Sequence, residues 1–191
     1  MVVQDDQVGD PFEGRSGDGD EAVFRKELSV KRSPSKARPL GSPARQLAGF
    51  IAKFDPAIGK RVREARAVLR KRLPTAIELV YDNYNALAIA FGSTERVSDA
   101  IVSLAVYPRW VDLYFIYGAK LPDPHLLLKG SGKQGRHLLL EDAAVLAKPA
   151  VAALLRAAIQ QAQSPLPTTA RGYTLIKSAS AKQRPRRPVS G

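Results

Sequence analysis

The chain has 191 residues, a formal net charge of +12 and no cysteine, which indicates one domain with tails. The lack of cysteine excludes disulfide bonds, zinc-finger sites and thiol catalysis. No run of about 18 apolar residues is present to span a membrane. Because the first ten residues lack the basic and apolar regions of a secretory signal, the sequence predicts a cytoplasmic protein.

The charge is distributed unevenly. Residues 1–24 contain seven acidic residues and one basic residue, whereas residues 25–74 contain fifteen basic and three acidic residues. Residues 75–163 contain eight of each sign, and the chain from residue 164 contains six basic residues and no acidic one. The basic excess therefore lies in the early part of the chain and at its C-terminal end.

Both ends of the chain have the composition of disordered segments. They are poor in apolar residues and rich in Gly, Pro, Ser and charge. We predict a disordered leader over residues 1–41, a folded domain over 42–163 and a disordered basic tail over 164–191. The middle segment is long enough to form one hydrophobic core.

Two amphipathic helices are predicted at the start of the folded part. Over residues 43–54, apolar residues recur on one helix face: Leu47, Phe50, Ile51 and Phe54. Asp55 and Pro56 form a helix-start signal, because Asp is a favoured N-cap and Pro suits the first helical position. The second helix, over 56–72, carries seven basic residues outside its apolar face: Lys60, Arg61, Arg63, Arg66, Arg70, Lys71 and Arg72.

From residue 75 the apolar pattern becomes typical of strands. Strands are predicted over 77–81, 86–91, 100–107 and 110–117, separated by short turns that indicate an antiparallel sheet. A final helix is predicted to begin at Pro149. The fold class is therefore α+β, with two N-terminal helices and one C-terminal helix packed on an antiparallel sheet.

The stretch 125–142, HLLLKGSGKQGRHLLLED, is the most distinctive in the chain. Its two leucine runs, 126–128 and 138–140, flank a glycine-rich loop and predict a β-hairpin with a basic tip. The letters match the GxGxxG of dinucleotide-binding folds. However, a strand follows the loop where a helix is required, and no acidic residue occurs after Asp142. We therefore exclude a Rossmann-type site.

A simpler anion site is still compatible with this loop. If Lys129 and Arg136 face each other across the hairpin, a bound phosphate or carboxylate would relieve their repulsion, and glycine amides can approach an anion closely. The candidate anion-binding residues are Lys129, Gly130, Gly132, Lys133 and Arg136. The alternative is that the glycines only form the turn while the cations face water.

Four aromatic residues are candidates to line a pocket: Tyr81, Tyr84, Trp110 and Tyr114. The alternative is that they complete the core, as aromatic residues on half-buried strands commonly do. His125 and His137 are the only histidines, and their separation of twelve residues fits no common metal-ligand spacing. We predict no metal or cofactor and assign no catalytic residue.

Several of these segments resemble the YdhG-like domain family, a bacterial family of unknown function. The resemblance covers about residues 45–163 and depends on these positions: Tyr107-Pro108, Leu128-Lys129-Gly130-Ser131-Gly132-Lys133, Arg136-His137 and Pro149-Ala150-Val151. It implies an α+β domain with helices on an antiparallel sheet. One member is described as a frataxin-like iron chaperone, so the resemblance also implies an iron carrier, a role that would require acidic oxygen ligands.

These features predict a non-enzymatic binding module for an anionic small molecule or an acidic protein surface, with the glycine-rich loop in its site. The alternative is a nucleic-acid-associated protein that uses the basic tails and helix 56–72 for phosphate contacts. The iron carrier is a third hypothesis, and the basic character of the loop and helices argues against it.

Overall fold

The structure is a computed structural model that describes residues 41–188. It contains three α-helices and one six-stranded sheet, so the predicted α+β fold class is confirmed. The leader predicted over residues 1–41 lies, apart from Gly41, outside the described residues.

The helices begin where the sequence signals predict. They are α1 (Pro43–Ala52), α2 (Pro56–Arg72) and α3 (Pro149–Gln160), each with a proline in its first turn. Asp55 Oδ1 accepts a hydrogen bond of 2.8 Å from Ala57 N and so caps α2. Helix α1 ends two residues before the predicted boundary at Phe54.

The strands follow the order β5-β4-β3-β2-β1-β6 across the sheet. They are β1 (Ile77–Asp82), β2 (Leu87–Gly92), β3 (Ala100–Val106), β4 (Val111–Phe115), β5 (Arg136–Leu139) and β6 (Thr174–Ala179). Neighbours from β1 to β5 are antiparallel, whereas β6 pairs with β1 in parallel. The prediction of an antiparallel sheet is therefore correct except at this edge.

Alternation along the strands divides the buried residues between the two faces of the sheet. On β4, Val111, Leu113 and Phe115 belong to the core cluster that also contains buried apolar side chains of all three helices. Tyr114 belongs to a second cluster on the opposite face, together with small residues such as Ala88 and Ala90. The helices therefore pack on one face, as strand periodicity requires.

The prediction of a disordered tail from residue 164 is wrong for the described part of that segment. Residues 174–179 form β6, and Arg186 is 5% exposed. The prediction was based on the low apolar content of this segment. An edge strand such as β6 can have few apolar residues, because backbone pairing with β1 stabilises it. The domain boundary at residue 163 is therefore also wrong.

The predicted hairpin over residues 125–142 forms only in part. Residues 136–139 are the strand β5, but the first leucine run is not a strand, and Leu126 has φ +52° and is 87% exposed. The Asp123 carboxylate accepts hydrogen bonds from Leu127 N at 3.1 Å and Leu128 N at 2.7 Å. Because this carboxylate occupies backbone donors that a ladder would use, extended pairing is limited to one bridge.

Candidate functional site

A cleft of about 500 Å³ lies where the β1–β2 turn, the β3–β4 turn and the segment after β6 meet. We call it the arginine cleft. Its described lining residues are Asn85, Tyr107, Pro108, Arg109, Trp110, Arg184, Pro185, Arg187 and Pro188. Its volume is typical of small-molecule sites. Because this set contains three arginines and no acidic residue, the cleft is positively charged.

The β3–β4 turn forms an aromatic wall of the cleft. Tyr107 N donates to Trp110 O at 2.9 Å, which closes the turn around Pro108 and Arg109. The rings of Tyr107 and Trp110 stack with centroids 4.8 Å apart and an interplanar angle of 24°. Trp110 Nε1 also donates to Asp112 Oδ2 at 2.9 Å. These contacts hold the two rings in a defined arrangement beside Arg109.

The three arginines of the cleft differ in how far the protein occupies their guanidinium groups. Arg187 Nε donates to Phe54 O and Arg187 Nη2 donates to Ala52 O, both at 3.3 Å. Ala52 is the last residue of α1, and Phe54 lies two residues beyond it, so the guanidinium sits at the negative end of the helix. Arg109 and Arg184 are exposed, and neither side chain has a hydrogen bond or ion pair within the described part of the chain. Two guanidinium groups therefore remain for a ligand.

The segment after β6 is held in place by a buried carboxylate. Asp82 is fully buried, and its Oδ1 accepts a hydrogen bond of 3.0 Å from Arg186 Nη2, which also donates to Asn83 O. Lys53 Nζ lies 2.8 Å from Asp82 Oδ2. The Arg186 guanidinium lies 5.4 Å from the centroid of the Phe54 ring. Because a buried carboxylate is costly without cations, these contacts determine where one wall of the cleft lies.

A second buried carboxylate uses part of the basic helix α2. Glu78 is 1% exposed, and Arg66 contacts both of its oxygens, with Nε 2.7 Å from Oε1 and Nη2 2.8 Å from Oε2. Arg70 Nη1 lies 2.8 Å and Thr174 Oγ1 2.5 Å from Oε2. Two of the seven basic residues predicted for the outer faces of helix 56–72 therefore bind the sheet instead.

The glycine loop, residues 129–136, is held by hydrogen bonds from Arg136, which is part of the loop. Arg136 Nη1 donates to Gly132 O and to Gly135 O, both at 2.6 Å. A Cβ at Gly135 would lie 1.7 Å from Tyr114 Oη, so only glycine fits there. The Arg136 guanidinium, a predicted ligand-binding group, is therefore already hydrogen-bonded to carbonyl groups of the loop.

The other predicted anion-binding residues are placed differently from the expectation. Lys129 exchanges backbone hydrogen bonds of 2.7 and 3.0 Å with His137, so the residue opposite Lys129 is not Arg136. Lys133 is exposed, and Gly130 is half-buried. None of the five candidates lines the arginine cleft. Anion binding by the glycine loop stays a prediction.

The structure separates the four predicted pocket aromatics. Tyr81 and Tyr114 are buried in the second core cluster, and Tyr84 is 44% exposed. Burial raises the pKa of Tyr81 to about 12. Of the four, Trp110 alone is among the described residues that line the arginine cleft.

Within residues 41–188, no group of three or more His, Asp or Glu side chains is arranged to hold a metal ion. His125 lies in a separate groove of about 430 Å³ together with apolar residues such as Leu127 and Val151. In the described part of the chain, none of the helices combines the length and apolar character needed to cross a bilayer. The iron-carrier hypothesis stays a prediction.

Sequence reasoning missed Arg109, Arg184 and Arg187 as site residues. Arg184 and Arg187 lie in the predicted disordered tail, and Arg109 lies in a predicted turn. Their signals in the sequence are RPRRP at 184–188 and YPRW at 107–110, in which arginine alternates with proline and aromatic residues. Neither signal predicts that the two segments meet.

No family model, curated protein or solved structure matches the chain significantly. The resemblance to the YdhG-like family therefore stays a prediction.

Proposed function

We propose that the protein is a cytoplasmic, non-enzymatic binding module for an anionic ligand, and that the arginine cleft is its site. The supporting observation is the convergence of Arg109, Arg184 and Arg187 on one cavity whose described lining contains no carboxylate. Guanidinium groups bind phosphate and carboxylate groups with a planar set of donors. The ligand is a small anion or the acidic side chains of a partner.

The cleft also has features that lower the cost of binding. Arg187 is already held by two carbonyl groups, so little side-chain freedom is lost when its remaining nitrogen meets an anion. Pro108, Pro185 and Pro188 stiffen the backbone on both sides. A stiff, recessed site strengthens charge–charge contacts compared with an exposed patch.

The test uses Trp110, the only tryptophan of the chain, as a fluorescent reporter. We expect titration of the full-length protein with pyrophosphate at low salt to give a saturable change in tryptophan emission. Arg184→Ala should weaken this binding about tenfold, because it removes one charge-assisted contact. Lack of saturable binding by any method, including calorimetry, would exclude the proposal.

Lys182→Ala is the matched control. Lys182 is exposed, lies two residues before Arg184 and does not line the cleft. Because lysine and arginine each carry one positive charge, Lys182→Ala changes the net charge by the same amount as Arg184→Ala. We expect its effect on affinity to be less than twofold. Equal weakening by both variants would indicate general charge attraction and would contradict a specific site.

A second proposal is that the protein associates with nucleic acid through α2 and the basic ends of the chain. One observation favours it: after Arg66 and Arg70 bind Glu78, five basic residues of α2 remain outside this cluster, namely Lys60, Arg61, Arg63, Lys71 and Arg72. Binding of mixed RNA or DNA should then weaken steeply with salt, because phosphate contacts release counterions. An unchanged salt slope after Arg63→Ala and Lys71→Ala would exclude this helix.

A further inference from the structure

We infer that the ligand of the arginine cleft is a nucleotide unit, with its phosphate bound by the arginines and its base placed beside the aromatic wall. This inference rests on the proposed function, since it assigns a chemical class to the anion bound there.

Positive charge accounts for only part of the surface of the cleft. Tyr107 and Trp110 form one wall, and three prolines contribute further apolar surface. A small inorganic anion would contact the arginines and leave that surface in water. A ligand that uses the whole cleft needs a planar apolar part joined to an anionic part, as a base and its phosphate are joined.

The rings of the aromatic wall are held in a defined orientation. Trp110 is only partly buried and is oriented by its stack on Tyr107 and its bond to Asp112. Oriented aromatic rings beside arginines are how proteins hold single nucleotides without pairing them.

The size of the cleft limits the ligand further. A cavity of about 500 Å³ has room for one nucleotide but not for a duplex or a folded nucleic acid. The same unit can come from a free mononucleotide or from one exposed nucleotide of a single strand. Both sources present the same base and phosphate to the cleft.

The experiment compares ligands on the unaltered full-length protein by calorimetry at low salt. Adenosine 5′-diphosphate and pyrophosphate carry similar charge, so their difference isolates the nucleoside. We expect the nucleotide to bind about tenfold more tightly than pyrophosphate, and adenosine alone to bind more weakly than either. A short oligoadenylate distinguishes the sources: tighter binding than the mononucleotide assigns the site to a single strand, and equal or weaker binding assigns it to free nucleotides.

Two variants of one residue provide a matched control. Trp110→Phe and Trp110→Leu both remove the indole donor to Asp112, but only the first retains an aromatic ring. We expect Trp110→Leu to lose most of the preference for nucleotide over pyrophosphate, and Trp110→Phe to retain most of it. Circular dichroism checks that both variants fold, and the comparison on the unaltered protein does not depend on them.

The outcomes separate this inference from the proposed function. Equal affinity for nucleotide and pyrophosphate overturns the inference and leaves the anion site intact. If none of the anionic probes binds, both this inference and the proposed function are overturned. Equal nucleotide preference in the two Trp110 variants also overturns the inference, because stacking would then not be its source.

Discussion

The arginine cleft and the glycine loop are both basic, but they use their arginines in opposite ways. In the glycine loop, Arg136 donates to two carbonyls of the loop itself. In the arginine cleft, the side chains of Arg109 and Arg184 have no hydrogen-bond or ion-pair partner within the described residues. Positive charge in the sequence therefore identifies a candidate site, whereas the partner of each guanidinium decides what remains for a ligand.

The two regions also differ in how they are assembled. The glycine loop is closed by contacts that span one and four residues of chain. The arginine cleft combines three distant segments, and the Arg186–Asp82 ion pair behind it joins residues 104 positions apart. A substitution far along the chain from Arg186, such as one at Asp82, should therefore alter the structure of the cleft and leave the structure of the glycine loop unchanged.

The largest effect is expected at Asp82. Asp82→Ala leaves Arg186 buried without its carboxylate, which should lower the free energy of unfolding by about 3–5 kcal/mol. Urea denaturation measures this loss, and pyrophosphate titration of the folded variant should show weakened binding. The exposed Glu141 is the control, because Glu141→Ala should change stability by less than about 0.5 kcal/mol. Similar stability of the two variants would contradict this role of Asp82.

A smaller effect is expected in the glycine loop at Gly135. Gly135→Ala forces a Cβ against Tyr114 and should cost about 1–3 kcal/mol, while leaving pyrophosphate affinity unchanged. Gly49→Ala is the matched control: Gly49 lies within α1 with nothing near the new Cβ, so this change should stabilise the protein by about 0.5–1 kcal/mol. The denaturation midpoint should fall in Gly135→Ala and rise in Gly49→Ala. Loss of pyrophosphate binding in Gly135→Ala would show that the glycine loop and the arginine cleft are coupled.

The smallest effect concerns Tyr81, which the sequence offered as a pocket aromatic and the structure places in the core. Its folded pKa of about 12 lies above the ordinary value of 10.0, so its contribution to stability is complete below pH 10 and is lost as the pH rises towards 12. Ultraviolet absorbance of tyrosinate, compared between the unaltered protein and Tyr81→Phe, measures this ionisation. A Tyr81 midpoint near 10 in the folded protein would indicate that the ring is exposed.

The elements that can be predicted from the sequence are those whose signals are local. Pro43, Pro56 and Pro149 begin the three helices, because proline suits the first helical turn. The alternation of apolar and polar residues along 111–115 matches the two faces of β4, because side chains on a strand point to opposite sides in turn. Trp110 is one of the four aromatic residues that the sequence offers as pocket candidates, and it lines the arginine cleft.

The edge of the sheet and the composition of the cleft depend instead on contacts between segments that are far apart in the chain. The side chains of β6 are half-buried or exposed, and its partner β1 lies almost a hundred residues earlier, with Glu78 opposite Thr174. The burial of Arg186 depends on Asp82 in the same way. The local composition of a segment shows how polar it is. It does not show which distant carboxylate forms an ion pair with one of its arginines. For that reason the segment after residue 164 resembled a disordered tail, although it completes the sheet and one wall of the arginine cleft.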